Sequence, residues 1–189
     1  MSPSDVLGRI VTHLKAAGIP YMLSGSIASS AHGKPRSTED IDLVIHPSLL
    51  QLNTFLGMLS SEDYYVSPEA AREAFEQRTM FNVIDLATGW KVDLILLKRR
   101  DFDIEEFDRR IVRDVLGHQI SIVTPEDSIL SKLEWRKESQ SERQYIDAVN
   151  VAAKGTNLDV VYLRRWARVL GVADDLERLL RDADELRPA

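Results

Sequence analysis

The chain has 189 residues, no cysteine, 44% hydrophobic and 29% charged residues, and a formal net charge of -6. That length and composition suit one domain, or a small domain with a helical appendage, and argue against disorder. Without cysteine there is no disulfide framework, thiolate zinc site or catalytic thiol, and the acid excess speaks against a broad nucleic-acid surface, leaving two local basic clusters, LKRR at 97–100 and YLRRWAR at 162–168.

Residues 4–17 read as a helix, with Ser4 as N-cap, Asp5 in the first turn and an apolar stripe of Val6, Ile10, Val11 and Leu14. Gly18 ends it. The opening stretch carries charge throughout and has no apolar signal core, and no run approaches the roughly 18 apolar residues of a membrane span, so a cytoplasmic protein with no membrane partner is expected. Pro20 opens a strand, YMLSG, followed by a helix of small residues, SIASSAHG, closed by Gly33. KPRST is a loop and EDIDLVI a second strand. The spacing of Leu50, Leu52, Phe55, Leu56 and Leu59 predicts a helix, and residues 68–77 form another, capped by Ser67 with Pro68 first. TMFNVIDL and WKVDLILL flank the turn ATG as a hairpin, a short helix falls near 102–109, and IVRDV and QISIV flank Leu116-Gly117-His118 as a second hairpin.

From Pro125 the period becomes helical, and Gly155, Asn157 and Gly171 divide the tail into three or four helices. The pattern is an α+β unit over 1–123, with a small mixed sheet flanked by helices, and a C-terminal helical region over 124–189 packed on it. No repeat or low-complexity tract is present.

Asp40 and Asp42 share one face of their strand, because strand side chains alternate. Two carboxylates about 7 Å apart repel, and burial makes each ionised form costly. A hard cation such as Mg²⁺, which takes oxygen ligands, would compensate them. Asp93 stands alone between Val92 and Leu94, and if its strand neighbours that of Asp40 and Asp42, three carboxylates converge. A plainer reading stands beside this one: a solvated strand end or a helix cap, with Asp93 paired to Lys91, Arg36 or Arg99. Asp85 also interrupts a strand, but beside a turn, where water is expected to reach it.

Upstream, a strand runs into Gly25-Ser26 and the small-residue helix. A helix N-terminus offers free N–H groups and a positive dipole end; Gly25 lets backbone approach a phosphate and Ser26 adds a hydroxyl. Ser26 as an ordinary N-cap is the alternative.

Together, strand, Gly25-Ser26, a spacer of residues 27 to 39 and Asp40-Ile41-Asp42 resemble the signature of the DNA polymerase β-like nucleotidyltransferase superfamily, with Asp93 in the place of its third carboxylate. AHGKPRSTEDIDLVI is similar to the small prokaryotic branch described as nucleotidyltransferase or AbiEii-like toxin. TPEDSILSKLEW resembles a segment that follows the catalytic unit there, with Lys132 and Asp147 in matching positions, although their spacing is shorter than in the AbiEii toxins.

The resemblance implies an α/β nucleotidyltransferase fold and an enzyme that moves a nucleoside monophosphate from a nucleoside triphosphate to an acceptor hydroxyl on an RNA 3′ end, a protein or a small molecule. It implies two Mg²⁺ ions, replaceable by Mn²⁺, on Asp40, Asp42 and Asp93, and phosphates held by Gly25 and Ser26. It also implies a toxin–antitoxin or phage-defence setting with an antitoxin protein as partner. Lys34 and Arg36 would neutralise the triphosphate, or belong to a solvated loop; Lys132 would reach phosphates, or stand as a solvated helical lysine. The alternative functions are a catalytically silent binding or regulatory module of the same fold and a small RNA-binding protein using the basic tail.

Other residues read as structural. His32 would contact substrate or, more simply, stands as a packed or capping histidine, and His13, His46 and His118 show no metal-ligand spacing. Arg113 and His118 have the Arg-x4-His spacing of HEPN ribonucleases, but Leu116-Gly117 between them reads as a turn rather than a helix. Trp135, Tyr145, Tyr162 and Trp166 are candidates to stack a base, and Tyr162, Trp166 and Leu170 form an i, i+4, i+8 packing stripe.

Overall fold

A computed structural model describes residues 3–38 and 40–187. In chain order these form α1 (Pro3–Ala16), β1 (Tyr21–Leu23), α2 (Gly25–His32), β2 (Asp40–Ile45), α3 (Leu49–Met58), β3 (Tyr64–Tyr65), α4 (Pro68–Gln77), β4 (Met80–Asp85) and β5 (Lys91–Leu96). Then follow α5 (Asp101–Asp108), β6 (Ile111–Val115), β7 (His118–Ile122), α6 (Pro125–Ser139), α7 (Glu142–Lys154), α8 (Val160–Leu170) and α9 (Ala173–Glu185). The chain divides into two compact units: Met1–Ser24 with Thr38–Ile122, and Gly25–Ser37 with Val123–Ala189.

The first unit is built on a mixed sheet of order β3-β4-β5-β2-β1-β7-β6. β2 runs parallel to β5 and β1 parallel to β7, while the other neighbours are antiparallel. In β2, Ile41, Leu43 and Ile45 are fully buried and Asp40, Asp42 and Val44 half-buried. That is the period-2 alternation of a strand with one face on a core. The core takes Phe81, Val83, Val92 and Leu94 from the sheet and Val6, Leu7, Ile10, Leu14, Leu52 and Phe55 from α1 and α3. α1 packs on α3 and β7, and α4 on β4.

Local chemistry sets the element ends. Ser67 Oγ accepts from Ala70 N and Pro68 opens α4, as its sequence indicates. Ser48 and Gln51 form a reciprocal capping box on α3. The β6–β7 turn places Leu116 and Gly117 at φ of 53° and 83°, the left-handed pair that matches strand twist in a two-residue hairpin. Arg113 and His118 therefore lie on strands, and the HEPN arrangement does not arise.

Three local expectations are corrected. Ser4 lies inside α1, and its hydroxyl donates to Leu116 O at 2.8 Å instead of capping. The edge strand β3 was not foreseen: Tyr64 and Tyr65 pair with β4, and two residues are too few to show a period. Asp85 is almost wholly buried, not watered. One carboxylate oxygen pairs with Arg9, and the other accepts from Thr88 N at 3.0 Å and Thr88 Oγ1 at 2.7 Å, so the acid pins the β4–β5 turn. Glu39, expected to open β2, lies outside the described residues.

The second unit is helical. α2 packs on α6 and α7, α6 on α7 and α8, and α9 on α7 and α8. Gly33 closes α2 against α7, where a Cβ would stand 2.9 Å from Val151 N, so only glycine fits. Tyr145, Tyr162, Leu163, Trp166, Leu176 and Leu179 are buried in this unit, which makes three of the four tail aromatics core residues. Trp135 is exposed. No described helix is long and apolar enough to cross a membrane.

Candidate active site

In the sheet unit the carboxylates meet through register. Asp42 is the direct partner of Asp93 across the parallel β2–β5 pair, and Asp40 the partner of Lys91. Neighbouring strands lie about 4.8 Å apart, and directly paired residues share a face. Asp40, Asp42, Lys91 and Asp93 therefore form a two-by-two block on the face opposite the core. On β4, Asn82 is the partner of Asp93 and donates its amide to Asp93 Oδ1.

Lys91 Nζ lies 3.2 Å from Asp40 Oδ1 and 3.3 Å from Asp93 Oδ2. Burial works against its charge, but the hydrogen bonds to Asp40 and Asp93 outweigh this and raise its pKa. Within this block Lys91 bridges two of the three carboxylates, so the site already holds a cation. Among the described residues no group of three or more His, Asp or Glu has converged to a metal cage. The block nevertheless suits Mg²⁺ in donor chemistry: hard oxygens on one face, with the Asp40 side chain 46% exposed. Asn82 and Lys91 hold Asp93 in a fixed orientation. Lys91 was visible in the sequence as a counter-charge for Asp93; Asn82 was missed, though the hairpin register that places it opposite Asp93 was the signal that pointed to it.

In the helical unit Gly25 begins α2 with φ of 62°, a value glycine adopts freely. Ser26 Oγ accepts a hydrogen bond from the Arg36 guanidinium. Arg36 Nε also reaches both Asp147 oxygens, at 3.0 and 3.1 Å. Lys132 Nζ donates to Asp147 Oδ2 at 3.0 Å and to Gln144 Oε1 at 2.9 Å. Lys132 and Asp147 are nearly fully buried, which corrects the solvated-lysine expectation: an ammonium on an internal face finds a carboxylate there. Arg36 is likewise not a solvated loop residue, whereas Lys34 is exposed. His32 is a packed histidine, Nε2 donating to Val123 O at 2.7 Å.

The fold is that of nucleotidyltransferase-like proteins. The chain resembles an antigenic nucleotidyltransferase-like protein from Paracoccidioides brasiliensis, with a TM-score of 0.59 at 16% identity, covering 95% of this chain and 92% of that one. It resembles the antibiotic-resistance factor ANT(2'')-Ia in solution, at a TM-score of 0.59 and 14% identity over 93% and 96% of the two chains. A crystal structure of ANT(2'')-Ia with adenylyl-2''-tobramycin gives the same score and identity over 94% and 99%. No family model matches the chain, and no curated protein does. At such identities the likeness is one of fold, so the mixed α/β nucleotidyltransferase fold is what these neighbours establish.

Proposed function

We propose that the protein is a metal-dependent nucleotidyltransferase that moves a nucleoside monophosphate from a nucleoside triphosphate to an acceptor hydroxyl. The observation that carries this reading is the block in which Asp42 stands directly opposite Asp93, with Asp40 beside it and an ammonium bridging two of the three. A fold shared with nucleotidyltransferase-like proteins supports it.

Asp40, Asp42 and Asp93 would hold two Mg²⁺ ions, or Mn²⁺ in their place. Bound there, the ions supply positive charge to the phosphates and acidify the attacking hydroxyl. The acceptor oxygen bonds to the α-phosphorus, the bond from that phosphorus to the bridging oxygen breaks, and pyrophosphate leaves. Asp93 Oδ2 accepts the acceptor's proton once Lys91 swings away. At the start of α2, backbone amides beside Gly25 bind phosphate oxygens. Ser26 Oγ accepts from Arg36 and so keeps its own hydrogen to donate to a phosphate. Lys34 adds an exposed cation for the triphosphate. Lys132 acts through Asp147 and Arg36 to fix Ser26, a positioning role rather than a phosphate contact.

The acceptor best supported is a small-molecule hydroxyl, since ANT(2'')-Ia has been crystallised with an adenylylated tobramycin; an RNA 3′ end or a protein hydroxyl are the other acceptors of the same chemistry. A toxin–antitoxin setting with an antitoxin partner belongs to this reading through the AbiEii-like motif. The test is transfer of label from each of the four nucleoside triphosphates with Mg²⁺ or Mn²⁺, against Asp40→Ala and Asp42→Ala. Labelling that survives both substitutions sinks the mechanism, and none with any nucleotide or acceptor favours a silent module.

A further inference from the structure

A cavity of about 460 Å³ opens in the sheet unit at the far end of β2 and β5 from the aspartates. β2 runs from Asp40 to Ile45, and His46 lines the cavity; β5 runs from Lys91 to Leu96, and Leu97, Lys98 and Arg99 line it. Arg78, just before β4, and Arg110, just before β6, bring the cations in the lining to four, with Asp108 the one carboxylate there. In a chain of net charge -6 this local excess is opposite in sign to the whole.

Two of the cations are held in place. Arg110 lies 4.2 Å from the Phe107 ring centroid, and Arg78 lies 5.5 Å from that of Phe75. Arg78 also sits at φ of 56° as the C-cap of α4, a left-handed position where glycine or asparagine is the common choice. Lys98 and Arg99 are exposed and form no ion pair with a described residue. Ile104 and Leu97 supply an apolar wall.

We propose that this cavity binds a small phosphorylated organic molecule, its phosphate oxygens met by Arg78, Lys98 and Arg99 and its organic part seated on Ile104 and Leu97. The volume falls within the roughly 300–1,000 Å³ of small-molecule sites. A single-stranded nucleic acid instead needs a charged track with aromatic faces open for stacking, and the Phe107 ring here is buried under Arg110. The site is separate from the aspartate block, so the proposal does not depend on nucleotidyl transfer.

The test is methyl NMR of the full chain with labelled isoleucine, in EDTA to keep divalent cations from the aspartates. Ile104 reports on the cavity and Ile84, on the aspartate face beside Lys91, reports on the other site. The probes are glycerol 3-phosphate, adenosine 5′-monophosphate, inorganic phosphate and a uridine octanucleotide. Expected is a saturable Ile104 shift with an organic phosphate that leaves Ile84 still, weakened about fivefold or more by Lys98→Ala or Arg99→Ala and unchanged by Arg72→Ala on the exposed side of α4. No saturable Ile104 shift below about 10 mM overturns the proposal. So does an equal loss with Arg72→Ala, inorganic phosphate binding as tightly as the organic probes, or the octanucleotide binding tighter than all of them.

Discussion

Two charge clusters in this protein use the same kinds of residue and reach opposite ends. On β2 and β5, one half-exposed ammonium is shared between Asp40 and Asp93, with Asp42 beside them. In the helical unit one buried carboxylate, Asp147, is held by two cations, Arg36 and Lys132. The first cluster is exchangeable, because a cation reached by water at modest cost can leave. The second is fixed, because its carboxylate is buried and losing Asp147 removes the counter-charge that Arg36 and Lys132 share. Residue type does not separate the two clusters; access to solvent does.

Four experiments break or sharpen that contrast. The largest effect is expected from Asp40→Ala and Asp42→Ala, each lowering nucleotidyl transfer about a thousandfold or more. Asp40→Ala should also change unfolding free energy in urea by less than about 1 kcal/mol, since the pair it loses is exposed. A large loss of stability would erase the difference between the clusters. Asp147→Ala comes next. It leaves Arg36 and Lys132 facing each other, at a cost of about 3–5 kcal/mol, read from the urea midpoint. Lys91→Met should raise Mg²⁺ affinity several-fold by calorimetry, about the effect of removing one competing charge at a half-exposed site; weaker binding would mean that Lys91 supports the metal site instead of guarding it.

The smallest effect concerns Tyr145 in the helical unit. Burial first, then the hydrogen bond and charge of Asp182, push its phenol from 10.0 up to about 12. The unfolded chain releases this proton near 10.0 while the folded chain keeps it to about 12, so the contribution to stability is whole below pH 10.0 and lost as the pH rises toward 12. Tyr145→Phe should flatten that part of the stability–pH curve relative to wild type, measured by urea titration at each pH.

Much of this arrangement can be read from local pattern. The alternation in Asp40–Ile45, the Ser67-Pro68 start of α4 and the Leu116-Gly117 turn each depend on residues close in sequence, and each shows in the letters. The shared face of Asp40 and Asp42 follows from the same period. The pairing of Asp42 with Asp93 does not, because parallel register is fixed by distant packing. Asp85 misled for a similar reason: a turn suggests solvent, but Arg9 from 76 residues upstream covers it. Lys132 reads as an ordinary helical lysine until α7 supplies Asp147. No local signal groups α2 with α6 and α7, since helix–helix packing leaves no mark on a segment of small residues.

That grouping of α2 has a consequence for biosynthesis. The ribosome releases α2 about a hundred residues before α6, the first of its packing neighbours, so this short helix must wait through the making of most of the sheet. Isolated eight-residue helices do not persist in water. A nascent chain halted near residue 123 would therefore carry a frayed loop where the finished protein has Gly25–His32, and a gene cut at the sheet's end would encode a fragment whose Gly25-Ser26 segment is not held as a helix start.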